Sequence, residues 1–155
     1  TIYPKVKMKI IYPLTHLLLF SITLLSENLL NLIIFSKYIS ISPFFILLII
    51  FSLTRFKNIN IFPIMGSGLL YDIFLSENYL GVYAIIFLLT SVSINYMNEK
   101  LIDFNFKLFF IFTLNYVIYN ILNISSLDVL FIFPLSLFIN YFLFILIKRA
   151  MSLSV

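Results

Sequence analysis

The chain contains no cysteine. That excludes a disulfide framework, a thiolate nucleophile and a Cys-type metal site, and it leaves the compartment open. Tryptophan is also absent, so tyrosine alone can furnish interfacial aromatic belts. Histidine occurs once, as His16, and alanine twice, as Ala84 and Ala150. There is no HExxH, GxSxG or phosphate-binding glycine loop, and no second acid at helical spacing from Asp72. These absences argue against an enzyme, a metal site and a resident cofactor. Charge is scarce too: 10% of the residues are Asp, Glu, Lys or Arg, against 63% hydrophobic, with a mean hydropathy of +1.14. A soluble domain of 155 residues cannot bury that much apolar surface. Lipid is the expected solvent, and one membrane domain the expected organisation.

Hydropathy divides the chain into six apolar runs, at about residues 10–26, 41–56, 59–75, 80–97, 106–122 and 129–147. The first follows Lys5, Lys7 and Lys9, but no small-residue cleavage site follows it, so it reads as an anchored helix. Residues 27–42 are mixed, and predict a segment along the outer membrane surface with Glu27 in water. With both termini cytoplasmic, nine of the ten basic residues fall on one side and only Lys37 on the other. That bias is the positive-inside pattern. The expected fold is therefore an all-α integral membrane bundle of six transmembrane helices with short loops. No internal repeat is visible, and basic residues spread along one membrane face do not suit nucleic acid.

All three glycines, Gly66, Gly68 and Gly81, lie in MGSGLLYDIFLSENYLG, beside the embedded acid Asp72. Gly68, Asp72 and Ser76 share one helix face. Glycine lets a neighbouring helix approach closely. The acid lies one turn below the outer end of its helix, within reach of the unpaired N–H groups that open the next one. A hairpin stapled by Asp72 and turned at Gly81 is the structural reading. A cation, proton or polar-substrate site and a partner contact are the alternatives. Tyr116, Tyr119, Asn120 and Asn123 share a polar face of the fifth run, with Asn115 beside them and Asn140 in the sixth. They suit interhelical hydrogen bonds, a polar cavity or a partner groove. His16 suits a hydrogen-bonded role near the inner end. Arg55 and Lys57 form a basic cytoplasmic loop that suits orientation, anionic lipid or a cytoplasmic partner.

Gly68-Leu69-Leu70-Tyr71-Asp72, followed by Leu80-Gly81, resembles the rod shape-determining protein MreD family, which shows G-L-L-x-D, a short polar turn and L-G. The turn departs from that pattern in carrying Glu77 after Ser76, where the family often has glycine. Chain length, six short-looped spans and a basic C-terminal end are also similar. The resemblance implies a non-catalytic scaffold of the cell-elongation complex, multi-pass in the bacterial inner (cytoplasmic) membrane. Its implied partners are the membrane helix of MreC, a RodA-type glycan polymerase, a class B penicillin-binding transpeptidase and MreB. It also implies a rival, because the family's arrangement is thought to be similar to the substrate-binding subunits of energy-coupling-factor vitamin or metal transporters. Those often dock through Ala-x-x-x-Ala, a pattern the two alanines here do not form. A small ion or proton channel built on Asp72 and His16 is a third reading, set against their placement toward opposite ends of their helices.

Overall fold

The computed structural model describes residues 3–33, 40–55, 61–76, 79–101, 106–122 and 127–151, with side chains from 13 onward except those of Arg55 and residues 127–131. Within these residues the chain is all helical, with six helices and no strand. They are α1 (Tyr3–Ile33), α2 (Pro43–Arg55), α3 (Ile61–Phe74), α4 (Val82–Lys100), α5 (Lys107–Tyr119) and α6 (Leu127–Ala150).

Helices α2 to α6 follow the expected runs to within a few residues, but α1 does not. It continues through Glu27, Asn28 and Asn31 to Ile33, where the sequence suggested a separate surface segment. No glycine or proline interrupts residues 26–33, so nothing stops the helix there. Glu27 and Asn31, four residues apart, form a polar face of α1. Among the described residues, two stretches are long and apolar enough to cross a membrane, Pro13–Ile33 and Ile132–Ala150. The 13 residues of α2 and of α5 rise about 20 Å, short of a hydrocarbon core of about 30 Å.

The centre of the bundle is α2. Phe44, Phe45, Ile46, Leu48, Ile49, Ile50 and Ser52 are all buried, as befits a helix apolar on every side. It packs on α1, α4, α5 and α6. The outer helices follow one another around it, α1 on α3, α3 on α4, α4 on α5 and α5 on α6. Aromatic rings fill the interior. Phe87 packs on Phe44 at 4.6 Å and stacks on Tyr119 at 5.6 Å, and Phe112 stacks on Tyr116 at 5.9 Å. Such pairs contribute about 0.5–1.5 kcal/mol each beyond their buried area.

Large apolar side chains also cover the outside, while several small polar ones are buried among the core rings. Leu18, Ile22 and Leu29 of α1, Phe62 and Ile73 of α3, Ile85 of α4, Phe110 of α5, and Phe138 and Phe142 of α6 are exposed. Ser52, Ser67, Thr90, Ser91, Asn115, Ser136 and Asn140 are buried. The small hydroxyls find partners within the bundle: Ser52 Oγ and Ser91 Oγ lie 2.8 Å apart across α2 and α4, and Thr90 Oγ1 donates to Ile86 O.

Candidate helix staples

Asp72 is 5% exposed, in the last turn of α3. Its Oδ2 accepts hydrogen bonds from Gly81 N (2.8 Å) and Tyr83 N (3.1 Å), and its Oδ1 from Ser76 Oγ (3.2 Å). Gly81 and Tyr83 are at the start of α4, where backbone donors have no partner inside their own helix. No side chain of α4 caps that end, so the acid of the preceding helix does so. Ser76 N returns to Tyr71 O and Val82 N to Tyr79 O, closing the turn on both sides.

The glycines supply the space and the turn. Gly81 sits at φ 95°, in the left-handed region that L side chains rarely adopt. Gly68 faces the backbone of α4. A Cβ on it would overlap the Ala84 backbone and stand 2.9 Å from Tyr83 C. Removing that carbon lets α3 lie against the first turn of α4, close enough for Asp72 to reach its donors. Gly66 faces α1 instead, where a Cβ would meet Leu17 Cδ1 at 2.8 Å, the movable end of a side chain. Both α3 glycines are thus occupied within the chain.

A second acid caps a second helix, and the sequence did not disclose it. Glu27 was expected in water. It is partly buried, with Oε2 accepting from Phe44 N (2.9 Å) at the start of α2 and Oε1 from the Tyr119 hydroxyl (2.9 Å) on α5. Four residues on, Asn31 both donates to Ile41 O and accepts from Ile41 N, at 3.0 Å each. From the opposite side, Asn140 Oδ1 accepts from Ser42 N (2.7 Å) and its Nδ2 donates to Ser40 O (2.8 Å). Ser136 Oγ accepts from Ser40 N. The non-helical stretch 40–42 is therefore held by side chains of α1 and α6. Backbone outside a helix is tolerated in an apolar bundle only where protein satisfies it in this way.

The two hairpins share a design: an acid near the C-terminal end of the first helix caps the start of the second. The tetrapeptide Leu-Ser-Glu-Asn occurs at 25–28 and at 75–78, but the capping acid is Glu27 in one hairpin and Asp72, four residues before Ser76, in the other. That offset hides the correspondence from the sequence.

The remaining polar positions divide. Tyr116 accepts from Asn140 Nδ2 (3.1 Å) and Tyr119 donates to Glu27, so both reach other helices. Asn120 is buried and donates to Tyr116 O within its own helix. Asn123 and Lys57 lie outside the described residues, and of Arg55, the last residue of α2, only the backbone is described. Asn115 donates to Ile111 O (2.8 Å) and Met97 Sδ (3.5 Å); its Oδ1 is buried without a hydrogen-bond partner among the described residues. His16 packs edge-on against Phe51 at 5.5 Å. Among the described residues no group of three or more His, Cys, Asp or Glu could hold a metal ion. Comparison with protein-family models, with curated proteins and with solved structures found no significant match in any of the three.

Proposed function

We propose that this chain is a six-span inner-membrane scaffold of the MreD type, which binds other membrane proteins and performs no chemistry. The observation that carries the reading is the α3–α4 hairpin. The residues of the G-L-L-x-D…L-G resemblance act there as one unit: Gly68 admits the α4 backbone, Asp72 caps it and Gly81 turns into it. The apolar outer surface of the bundle, with hydroxyl and amide side chains buried among its aromatic rings, supports residence in lipid.

In this reading the partner is the membrane helix of MreC, with the glycan polymerase, the transpeptidase and MreB in the same assembly. Because α1 and α4 occupy the glycine-bearing side of α3, the side left for a partner helix is the exposed one, with Phe62, Met65, Leu69 and Ile73 at spacings of three and four. Binding there couples the outer and inner faces by position alone.

Purification of the tagged protein from its native membrane in gentle detergent, with mass spectrometry of what accompanies it, tests the function. A single-span protein with a periplasmic domain, together with a polymerase or transpeptidase, is the expected result. A pair of ATPases with a coupling subunit, or a bound vitamin, refutes it in favour of a transporter subunit. The span count is tested separately. The chain has no cysteine, so single cysteines placed in each loop report sidedness directly by labelling.

A further inference from the structure

Helix α6 is seated differently from the other helices. Of its side chains from Ile132 onward, Ser136, Leu137, Asn140 and Phe144 are buried, and two of those four are polar. The shorter α4 buries seven, from Tyr83 to Ile94. Among the described residues α6 packs on α2 and α5, with no comparable contact to α1. Toward α5 the contact is aromatic: Phe144 lies on Phe112 at 5.4 Å, and Tyr141 meets Phe109 edge-on at 5.0 Å.

Toward α1 the link is the non-helical stretch 40–42, whose backbone groups alternate in direction. Ile41 turns both its N–H and its carbonyl to Asn31 of α1. Ser40 and Ser42 turn theirs to α6: Ser40 N donates to Ser136 Oγ (3.2 Å), Ser42 N donates to Asn140 Oδ1 (2.7 Å) and Ser40 O accepts from Asn140 Nδ2 (2.8 Å). One amide on each side thus grips the same three residues. Rings in apolar contact can slide or tilt with gradual loss, because that attraction has no direction. Hydrogen bonds weaken steeply once their geometry is lost. A helix with rings along one edge and an amide along the other therefore has a pivot and a catch. Elements with few buried apolar contacts are also those that open at the least cost.

We propose that α6 is a hinged element, pivoting on its aromatic contact with α5 and latched to the rest of the bundle by Asn140, so that the bundle opens between α6 and the stretch 40–42. The stretch itself stays with α1 when the latch releases, because Asn31 holds Ile41 and Glu27 holds the start of α2. Helices α3 and α4, joined by Asp72, take no part. The inference requires neither the MreD resemblance nor a protein partner nor a particular span count.

The test is amide hydrogen exchange of the full chain in lipid nanodiscs, read by mass spectrometry on peptides from the middle of α6 and the middle of α4, away from the fraying helix ends. In wild type the α6 peptides should exchange faster than those of α4. Asn140→Leu should speed α6 by about tenfold, the factor expected from losing its bonds to Ser40, Ser42 and Tyr116 at the strength usual in membrane bundles, and should leave α4 unchanged. Asn31→Leu, on the other side of the same stretch, should leave α6 at the wild-type rate. If Asn140→Leu does not fold, Ser136→Ala, which removes the acceptor of Ser40 N alone, should speed α6 by about two- to threefold. Equal protection of α6 and α4 in wild type, no change in α6 in the variants, or an equal rise in every helix overturns the proposal. The last of these would make Asn140 a general support of the fold. Purification partners and cysteine labelling are separate results, so failure of the scaffold reading and failure of the hinge can be told apart.

Discussion

Replacing Asp72 tests the staple most directly. Asp72→Leu keeps the size and removes every acceptor, leaving Gly81 N and Tyr83 N without their partner and Ser76 Oγ without its acceptor carboxylate. In a buried site each orphaned donor costs about 1–3 kcal/mol. In membrane bundles the average measured bond contributes less, about 0.6 kcal/mol with a maximum near 1.7, because the unfolded chain in lipid also finds partners. For two backbone donors the expected loss is about 1–3 kcal/mol. Asp72→Asn keeps one carbonyl acceptor but gives up the second oxygen and the charge, so its loss should be about half that of Leu. Reversible unfolding in mixed micelles, followed by circular dichroism as denaturing detergent is titrated, reads the difference. The order wild type, Asn, Leu is expected. Leu indistinguishable from wild type would refute the staple, and Asn less stable than Leu would show that the acceptor geometry is irrelevant.

Three further outcomes follow from the same contacts. Gly68→Ala should destabilise the bundle by about 1–3 kcal/mol, since its Cβ meets α4 backbone, whereas Gly66→Ala meets only the tip of Leu17 and should cost clearly less in the same titration. Gly81→Ala should cost about 1–2 kcal/mol for its positive φ with no steric contribution, and Gly81→Asn should recover part of it. Tyr119→Phe removes the hydroxyl that reaches Glu27 and should cost about 0.6–1.7 kcal/mol. Combined with Glu27→Gln in a double-mutant cycle, it should show coupling; strict additivity would mean that the bond contributes nothing.

Much of the architecture could be read from residue order because its determinants are close in sequence. Asp72 reaches donors 9 and 11 residues away, across a turn bounded by a glycine, so motif and geometry are contained in one short stretch. Glu27 defeated the same reasoning. Its partners lie 17 and 92 residues away, and a polar residue near the end of an apolar run looks like one meeting water. Asn140 was legible as an interior hydrogen-bonding residue, but its partners Ser42 and Ser40 lie 98 and 100 residues back, in a stretch that hydropathy assigns to the surface. Phe20, Phe44, Phe45, Phe87, Phe112 and Phe144 are buried at the centre, whereas Phe62, Phe74, Phe138 and Phe142 are exposed. Periodicity alone does not separate a ring facing lipid from one facing the core when both sides are apolar.

The two acid caps also bear on the order in which the chain assembles. Loop closure costs little over spans of 9 to 17 residues, so each of the first two helix pairs can close as soon as its second helix has left the ribosome. Glu27 then holds one oxygen on α2 and one uncommitted until α5 arrives with Tyr119, 92 residues later. Closing that last bond docks an already formed pair onto the late-made half of the protein. Glu27 thus ties the first helix pair to a helix made three elements later in the chain.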